Sequence, residues 1–237
     1  MVSITPEVIR DNILRTRERI AEAALRSGRT ADDVALLGVS KFQPIESLYA
    51  AVENGVTMLG ESRVQEAEEK LRLWQKEKPL WHMVGHLQRN KARKAVALFD
   101  CVQSVDNAEL AAAIERALAE APDKCPFPVF IEVNTSGELT KMGIHPDEIQ
   151  DLFDKIMRCY NLIEIDGLMT IGPLEGGESA VRASFVMLRE LRESLRKSTG
   201  LPLEHLSMGM SGDYEWAIEE GSTLVRVGTG IFGARSI

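Results

Sequence analysis

A lysine, an arginine and two loops of small residues are the parts of this 237-residue chain whose types and spacing could do chemistry. Lys41 directly follows an apolar run at 34–40. An amine at the end of a buried strand faces whatever the sheet edge encloses. Partial burial lowers its pKa and makes it a nucleophile able to join a carbonyl as a Schiff base. Position alone does not separate that reading from a solvated lysine just past a strand. Near the other end, 206–211 reads LSMGMS and 226–233 reads RVGTGIFG. Small residues let backbone N–H groups approach phosphate oxygens, and Ser207, Ser211 and Thr229 add hydroxyl donors. Arg226 stands two residues before Gly228 and so shares its strand face. A charged side chain turned into an interior needs a partner or a ligand. Glu132 and Asp166 are the candidate carboxylate partners.

The stretch 228–233, GTGIFG, also matches the G-x-G-x-x-G pattern of a dinucleotide site. That fingerprint opens a βαβ unit of about thirty residues, with an acidic residue about twenty positions on. Only four residues follow Gly233. The glycines therefore have another task, and a phosphate loop after a last strand fits them; a tight turn closing a sheet is the competing explanation.

These residues need elements to position them. The spacing predicts a first helix over 6–27, with Thr5 as cap, Pro6 in the first turn and Gly28 beyond its end. Apolar runs then recur at 34–40, 56–60, 81–84, 101–105, 128–134, 163–169, 205–207 and 223–227. Helical patterns lie between them at 45–53, 64–76, 88–98, 108–121, 147–160, 179–198 and 214–220. Alternation of this kind implies a parallel sheet. Eight repeats predict an α/β fold, a single (β/α)8 TIM barrel over 1–237, with the helix in 1–28 as an extra N-terminal element packed on it. An open doubly wound sheet is the alternative, but no Gly-rich turn follows the first strand. Barrel sites lie at the C-terminal strand ends, and phosphate often binds the loops after strands seven and eight. Lys41, Ser207 to Ser211 and Gly228 to Gly230 all fall there.

Composition narrows the function classes. Charged residues are 27%, hydrophobic residues 44% and the net charge −8. No nucleic-acid partner is expected, because phosphate backbones require clustered Lys and Arg; the basic stretches 89–94 and 70–78 read as exposed helix faces. No apolar run approaches about eighteen residues, so no membrane span is expected. Three cysteines without a C-x-x-C pair, and no apolar N-terminal core, point to a reducing, cytoplasmic setting. His82 and His86 span a strand and a loop, so no metal site is expected. Met157, Met169, Met208 and Met210 read as core filler. Lys141, after the fifth strand, is either a solvated lysine or a second amine at the mouth.

A strand-end lysine beside a phosphate cup leaves two cofactor or substrate classes: pyridoxal 5′-phosphate (PLP), or a sugar phosphate in a Schiff-base lyase with Glu61 or Glu132 as acid/base. The motifs LGVSK (37–41), GESRVQE (60–66), WHMVGHLQRNK (81–91), GLM (167–169), LSMGMS (206–211) and RVGT (226–229) together resemble the PLP homeostasis protein family. The resemblance runs in order from about Val34 to Gly233.

That resemblance implies an alanine racemase N-terminal domain-like barrel with PLP as a Schiff base on Lys41. It implies Lys41, Ser62, His82, Met169, Ser207, Ser211, Arg226, Gly228 and Thr229 as cofactor-binding residues, with no catalytic residue and no metal. Arg226 would face the pyridine nitrogen. The expected role is to hold PLP for vitamin B6 homeostasis and pass it to PLP-dependent apoenzymes as a monomer, without substantial catalysis; an amino-acid racemase is the rival. A racemase needs a second acid/base, which alanine racemase takes from a second domain, and Tyr49, Tyr160 and Tyr214 fall in or at the start of helical patterns. The family usually has asparagine at the position of Ser62 and threonine at that of Phe42, and often histidine at that of Gln103.

Overall fold

A computed structural model describes residues 4–138 and 140–233. The eight apolar runs form eight parallel strands in sequence order: β1 (Ala35–Val39), β2 (Met58–Glu61), β3 (Leu80–Met83), β4 (Cys101–Val105), β5 (Phe127–Glu132), β6 (Ile163–Met169), β7 (His205–Met210) and β8 (Leu224–Val227). They close into a barrel. The closing seam pairs β8 with β1, Leu37 lying opposite Arg226. Closure leaves no sheet edge and excludes the open doubly wound alternative.

Each strand is buried on both faces. Its inward residues meet in a small interior cluster of Leu37, Cys101, Phe130, Met169 and Leu224. Its outward residues join a larger shell with the surrounding helices. These are α2 (Ile45–Glu53), α3 (Val64–Leu73), α4 (Ala92–Leu98), α5 (Ala108–Leu118), α6 (Ile149–Cys159), α7 (Gly177–Thr199), α8 (Tyr214–Glu219) and the short α9 (Thr229–Phe232). Asn107 caps α5 by accepting the Leu110 N–H at 2.8 Å. At Gly167 a Cβ would lie 2.2 Å from the His205 carbonyl oxygen, so the β6–β7 contact admits no side chain there.

Three expectations change. The seventh strand runs on to Met210, past the expected end at Ser207, carrying the chain to the phosphate-type loop through Gly209 at φ 95°. Helix α3 stops at Leu73, so 70–78 is not an exposed helix: Lys70 is buried, and Trp74 turns inward to meet Tyr49 in a tilted contact (4.7 Å between ring centroids) and Trp81 edge-on (5.7 Å). Met157 is 45% exposed on the outer side of α6, because Leu152, Phe153 and Ile156 supply that helix's buried face; Met169 and Met208 are buried as expected.

The N-terminal helix α1 (Pro6–Arg26) packs across α2, α8 and α9. Ile9, Ile13, Ile20, Ala23 and Ala24 form its buried stripe. Asn12 Nδ2 donates to the Ile231 carbonyl at 2.8 Å, tying the helix to the turn beyond β8. Among the described residues, no helix is long and apolar enough to cross a membrane. Because Ile13 is fully enclosed, Ile13→Ala leaves a cavity under α8 and α9. It should lower unfolding free energy by about 2–5 kcal/mol, read as a reduced urea midpoint at unchanged m-value.

Candidate functional site

Arg226 organises the barrel interior. It lies on β8 with its side chain turned inward and is buried. One terminal nitrogen, Nη1, donates to the Ser207 carbonyl and to Ser207 Oγ, both at 2.7 Å. The other, Nη2, donates to the Thr170 carbonyl at 2.8 Å. These bonds use three of the five N–H donors of a guanidinium. These oxygens, and not the alternative partners Glu132 or Asp166, accept its hydrogen bonds. Asp166 instead lies 3.6 Å from His205. Burial pushes the Arg226 pKa down to about 10, against the supporting charges of Glu132 and Asp213.

The bonds continue across the barrel with a fixed sense. Arginine can only donate, so Ser207 Oγ accepts from Arg226 and gives its own proton to Gln103 Oε1 at 2.7 Å. The Gln103 amide nitrogen then donates to His82 Nδ1 at 2.8 Å. His82 is therefore a neutral imidazole with its proton on Nε2. Desolvation lowers its pKa to about 4, outweighing the nearby Asp100 charge. On the other side, Thr170 Oγ1 donates to the Val133 carbonyl at 2.7 Å and meets Thr135 Oγ1 at 2.8 Å. The network thus links β3, β4, β6, β7 and β8.

The phosphate-type loops meet above it. Ser211, beyond β7, places Oγ 3.2 Å from the Gly228 nitrogen and 3.1 Å from the Gly230 nitrogen. Two backbone N–H groups beyond β8 thus converge on one oxygen, the arrangement a phosphate oxygen needs. Thr229 is exposed beside them. Lys41 lies in the turn that follows β1, two residues after Val39, which packs with Leu37 on the interior cluster. It is half-buried. Ser62, half-buried beyond β2, is approached so closely by Gly85 that a Cβ there would lie 2.5 Å from the Ser62 carbonyl oxygen.

The nine sequence-derived residues therefore separate into layers. Lys41, Ser62, Ser211, Gly228 and Thr229 sit at the C-terminal strand ends; His82, Ser207 and Arg226 form the polar layer below; Met169 lies in the interior apolar cluster. Lys141 is largely buried and not a solvated lysine. It donates to the Gly172 carbonyl at 2.6 Å and pairs with Glu138 at 3.1 Å. Gln103 and Thr170 were not singled out as binding residues. Gln103 carries a visible signal, a long polar side chain inside the apolar run 101–105. Among the described residues, no group of three His, Cys, Asp or Glu side chains could hold a metal ion.

The alanine racemase N-terminal domain family model matches residues 9–236. The closed eight-stranded barrel is the fold of this class. A pyridoxal phosphate homeostasis protein from Aquifex aeolicus is 39% identical over 95% of this chain and 97% of its own length. The structure of PipY from Synechococcus elongatus PCC7942 with PLP bound superposes with a TM-score of 0.80 at 35% identity, covering 92% of this chain and 99% of that one. Alanine racemase from Corynebacterium glutamicum shares the fold, with a TM-score of 0.73 at 16% identity over 98% of this chain and 63% of that one. The chain belongs to the pyridoxal phosphate homeostasis protein family, within the alanine racemase N-terminal domain class.

Two buried groups give the site an acid–base signature. Burial raises the Glu132 pKa to about 7; Asp106 adds to the rise and Arg226 opposes it. In the folded state Glu132 holds a proton that the unfolded chain releases from about pH 4.5, so stability falls as pH rises from 4.5 through 7. His82 acts oppositely: its stability contribution is full above about pH 6.5 and is lost as pH falls toward 4. Between pH 4.5 and 6.5 the two slopes cancel. Glu132→Gln removes one of them. Without added ligand, the variant should gain about 3 kcal/mol relative to the parent between pH 4.5 and 7, at about 1.36 kcal/mol per pK unit. Urea unfolding across that range measures the difference.

Proposed function

We propose that this chain holds PLP for intracellular vitamin B6 homeostasis and passes it to PLP-dependent apoenzymes, without substantial catalysis of its own. The observation that carries this reading is the buried Arg226 guanidinium. Ser207 and Thr170 fix it below the convergent Ser211, Gly228 and Gly230 groups, on the strand paired with the one that leads to Lys41. Relatives are named for PLP homeostasis, and PipY carries PLP.

The residues fit such a cofactor. PLP would supply an aldehyde electrophile there. Lys41 would supply the amine for a reversible covalent link. Ser211, Gly228 and Thr229 would hold the phosphate. Arg226 would approach the ring from the last strand, and Ser207 keeps Arg226 in place. His82, Ser62 and Met169 would line the pocket. An arginine stays charged at ordinary pH and does not hand its proton to a ring nitrogen. Carbanion chemistry is thereby disfavoured, while reversible attachment is left intact.

The racemase reading keeps one specific support. Glu132, buried and raised to about 7, is in the range of a general acid or base. The tyrosines do not help it. Tyr49 OH lies 3.1 Å from the Leu73 carbonyl and 3.0 Å from the Gln75 nitrogen, Tyr160 OH is directed at the Ala108 carbonyl, and Tyr214 is buried beneath Arg19.

PLP added to the purified protein should produce a yellow species, and borohydride should fix the pyridoxyl group on the Lys41 peptide. Lys41→Ala should abolish both. A parent protein that ignores PLP overturns the reading. Racemisation of several amino acids should stay far below ordinary enzyme turnover, whose median is about 10 per second; turnover at that level makes the chain an enzyme.

A further inference from the structure

Behind β1 and β2, on the helix side of the barrel wall, lies a buried ion cluster that the PLP reading does not use. Lys70 of α3 is 8% exposed and Glu61 of β2 is 0% exposed. Lys70 Nζ lies 2.6 Å from Glu61 Oε1, 2.7 Å from Glu66 Oε1 and 2.7 Å from the Ser40 carbonyl oxygen. An ammonium has three donors, and all three are engaged. Ser40 Oγ adds a 2.6 Å bond to Glu61 Oε1. Glu66 Oε1 also accepts the Phe42 N–H.

The end points of this cluster decide its meaning. Its bonds reach the backbone on both sides of Lys41: the Ser40 carbonyl before it and the Phe42 N–H after it. The same carbonyl accepts the Gln43 N–H at 3.0 Å, closing a four-residue turn. Phe42 sits in that turn at φ 64°, a left-handed conformation that a bulky L residue rarely adopts.

Stability is a poor reason for such a cluster. Apolar groups of similar volume often serve a buried site as well as an ion pair or better. Here Glu61 Oε2 is left buried with no hydrogen-bond partner among the described residues. A mere staple between α3 and the sheet has no need to end on the peptide groups that flank one lysine.

We propose that Lys70, Glu61 and Glu66 form the positioning unit for Lys41, fixing the turn 40–43 so that the Lys41 amine is presented to an aldehyde at the barrel mouth. This rests on the reading of Lys41 as the amine that binds PLP. The three residues act through the backbone and touch no ligand.

The test compares full-length Lys70→Met and Glu66→Gln with the parent. Each protein is given PLP and then borohydride, and labelling of Lys41 is ranked by peptide mass spectrometry against exposed Lys155 and Lys197 as internal references. A second arm uses butanal with cyanoborohydride, an aldehyde that needs no phosphate cup. Leu188→Ala, which opens a cavity under α7 remote from the turn, controls for lost stability, and all proteins are assayed well below their unfolding midpoints.

Displacing a reacting group by about 1 Å can cost about 100-fold in rate. Lys70→Met should therefore reduce Lys41 labelling relative to Lys155 by about tenfold or more in both arms. Glu66→Gln should show a smaller loss, and Leu188→Ala none. Folded Lys70→Met with parental labelling overturns the proposal. If that variant does not fold, parental labelling of Glu66→Gln overturns it instead. A loss in Leu188→Ala equal to that in Lys70→Met also overturns it, since instability then explains the effect. If parental Lys41 takes no PLP, the carrier reading fails on its own, and the butanal arm still decides the positioning role.

Discussion

A permanently charged guanidinium inside a closed barrel is the constraint on which the rest of this structure depends. Arg226 cannot shed its charge cheaply, and water cannot reach it, so oxygens must be brought to it. The Ser207 carbonyl and hydroxyl and the Thr170 carbonyl do this. They come from two places, Ser207 within β7 and Thr170 just after β6, so their convergence needs the register of β6, β7 and β8 to be correct. With Ser207 accepting from Arg226, its proton goes to the Gln103 side-chain oxygen, and the Gln103 amide N–H goes to His82. A single arginine thus fixes proton positions across much of the interior.

The barrel supports this polar layer from two sides. Beside it in the interior lies an apolar cluster of Leu37, Cys101, Phe130, Met169 and Leu224. Above, loops of small residues bring N–H groups together at Ser211. Outside the wall, the Lys70 cluster holds the turn that carries Lys41. In both of these places the charged group ends on backbone carbonyls as well as on side chains.

Much of this was legible in the sequence. Eight apolar runs separated by helical patterns are the direct consequence of strands buried on both faces, and closure follows from their number. Arg226 and Gly228 share a face because alternation has a period of two. What was not legible depends on tertiary partners. Lys70 reads as a solvated residue in a charged stretch, yet Glu61 on another element and Glu66 one turn earlier make its burial possible. The end of α3 at Leu73 is set by Trp74 turning toward Tyr49 and Trp81, a contact that no local propensity encodes. Lys141 reads from sequence as solvated or as a second amine; its bonds to the Gly172 carbonyl and Glu138 depend on residues that local sequence does not place beside it.

The one-way sense of the bonds from Arg226 to His82 has a consequence for how this barrel can change over time. A side chain at 103 that could only donate would make the Ser207 hydroxyl accept twice and leave its own proton without the acceptor it now has. One that could only accept would leave His82 to reverse its tautomer. Positions 82, 103, 207 and 226 are therefore not free to drift one by one. They form a single heritable unit, and viable descendants must exchange its members in compatible combinations.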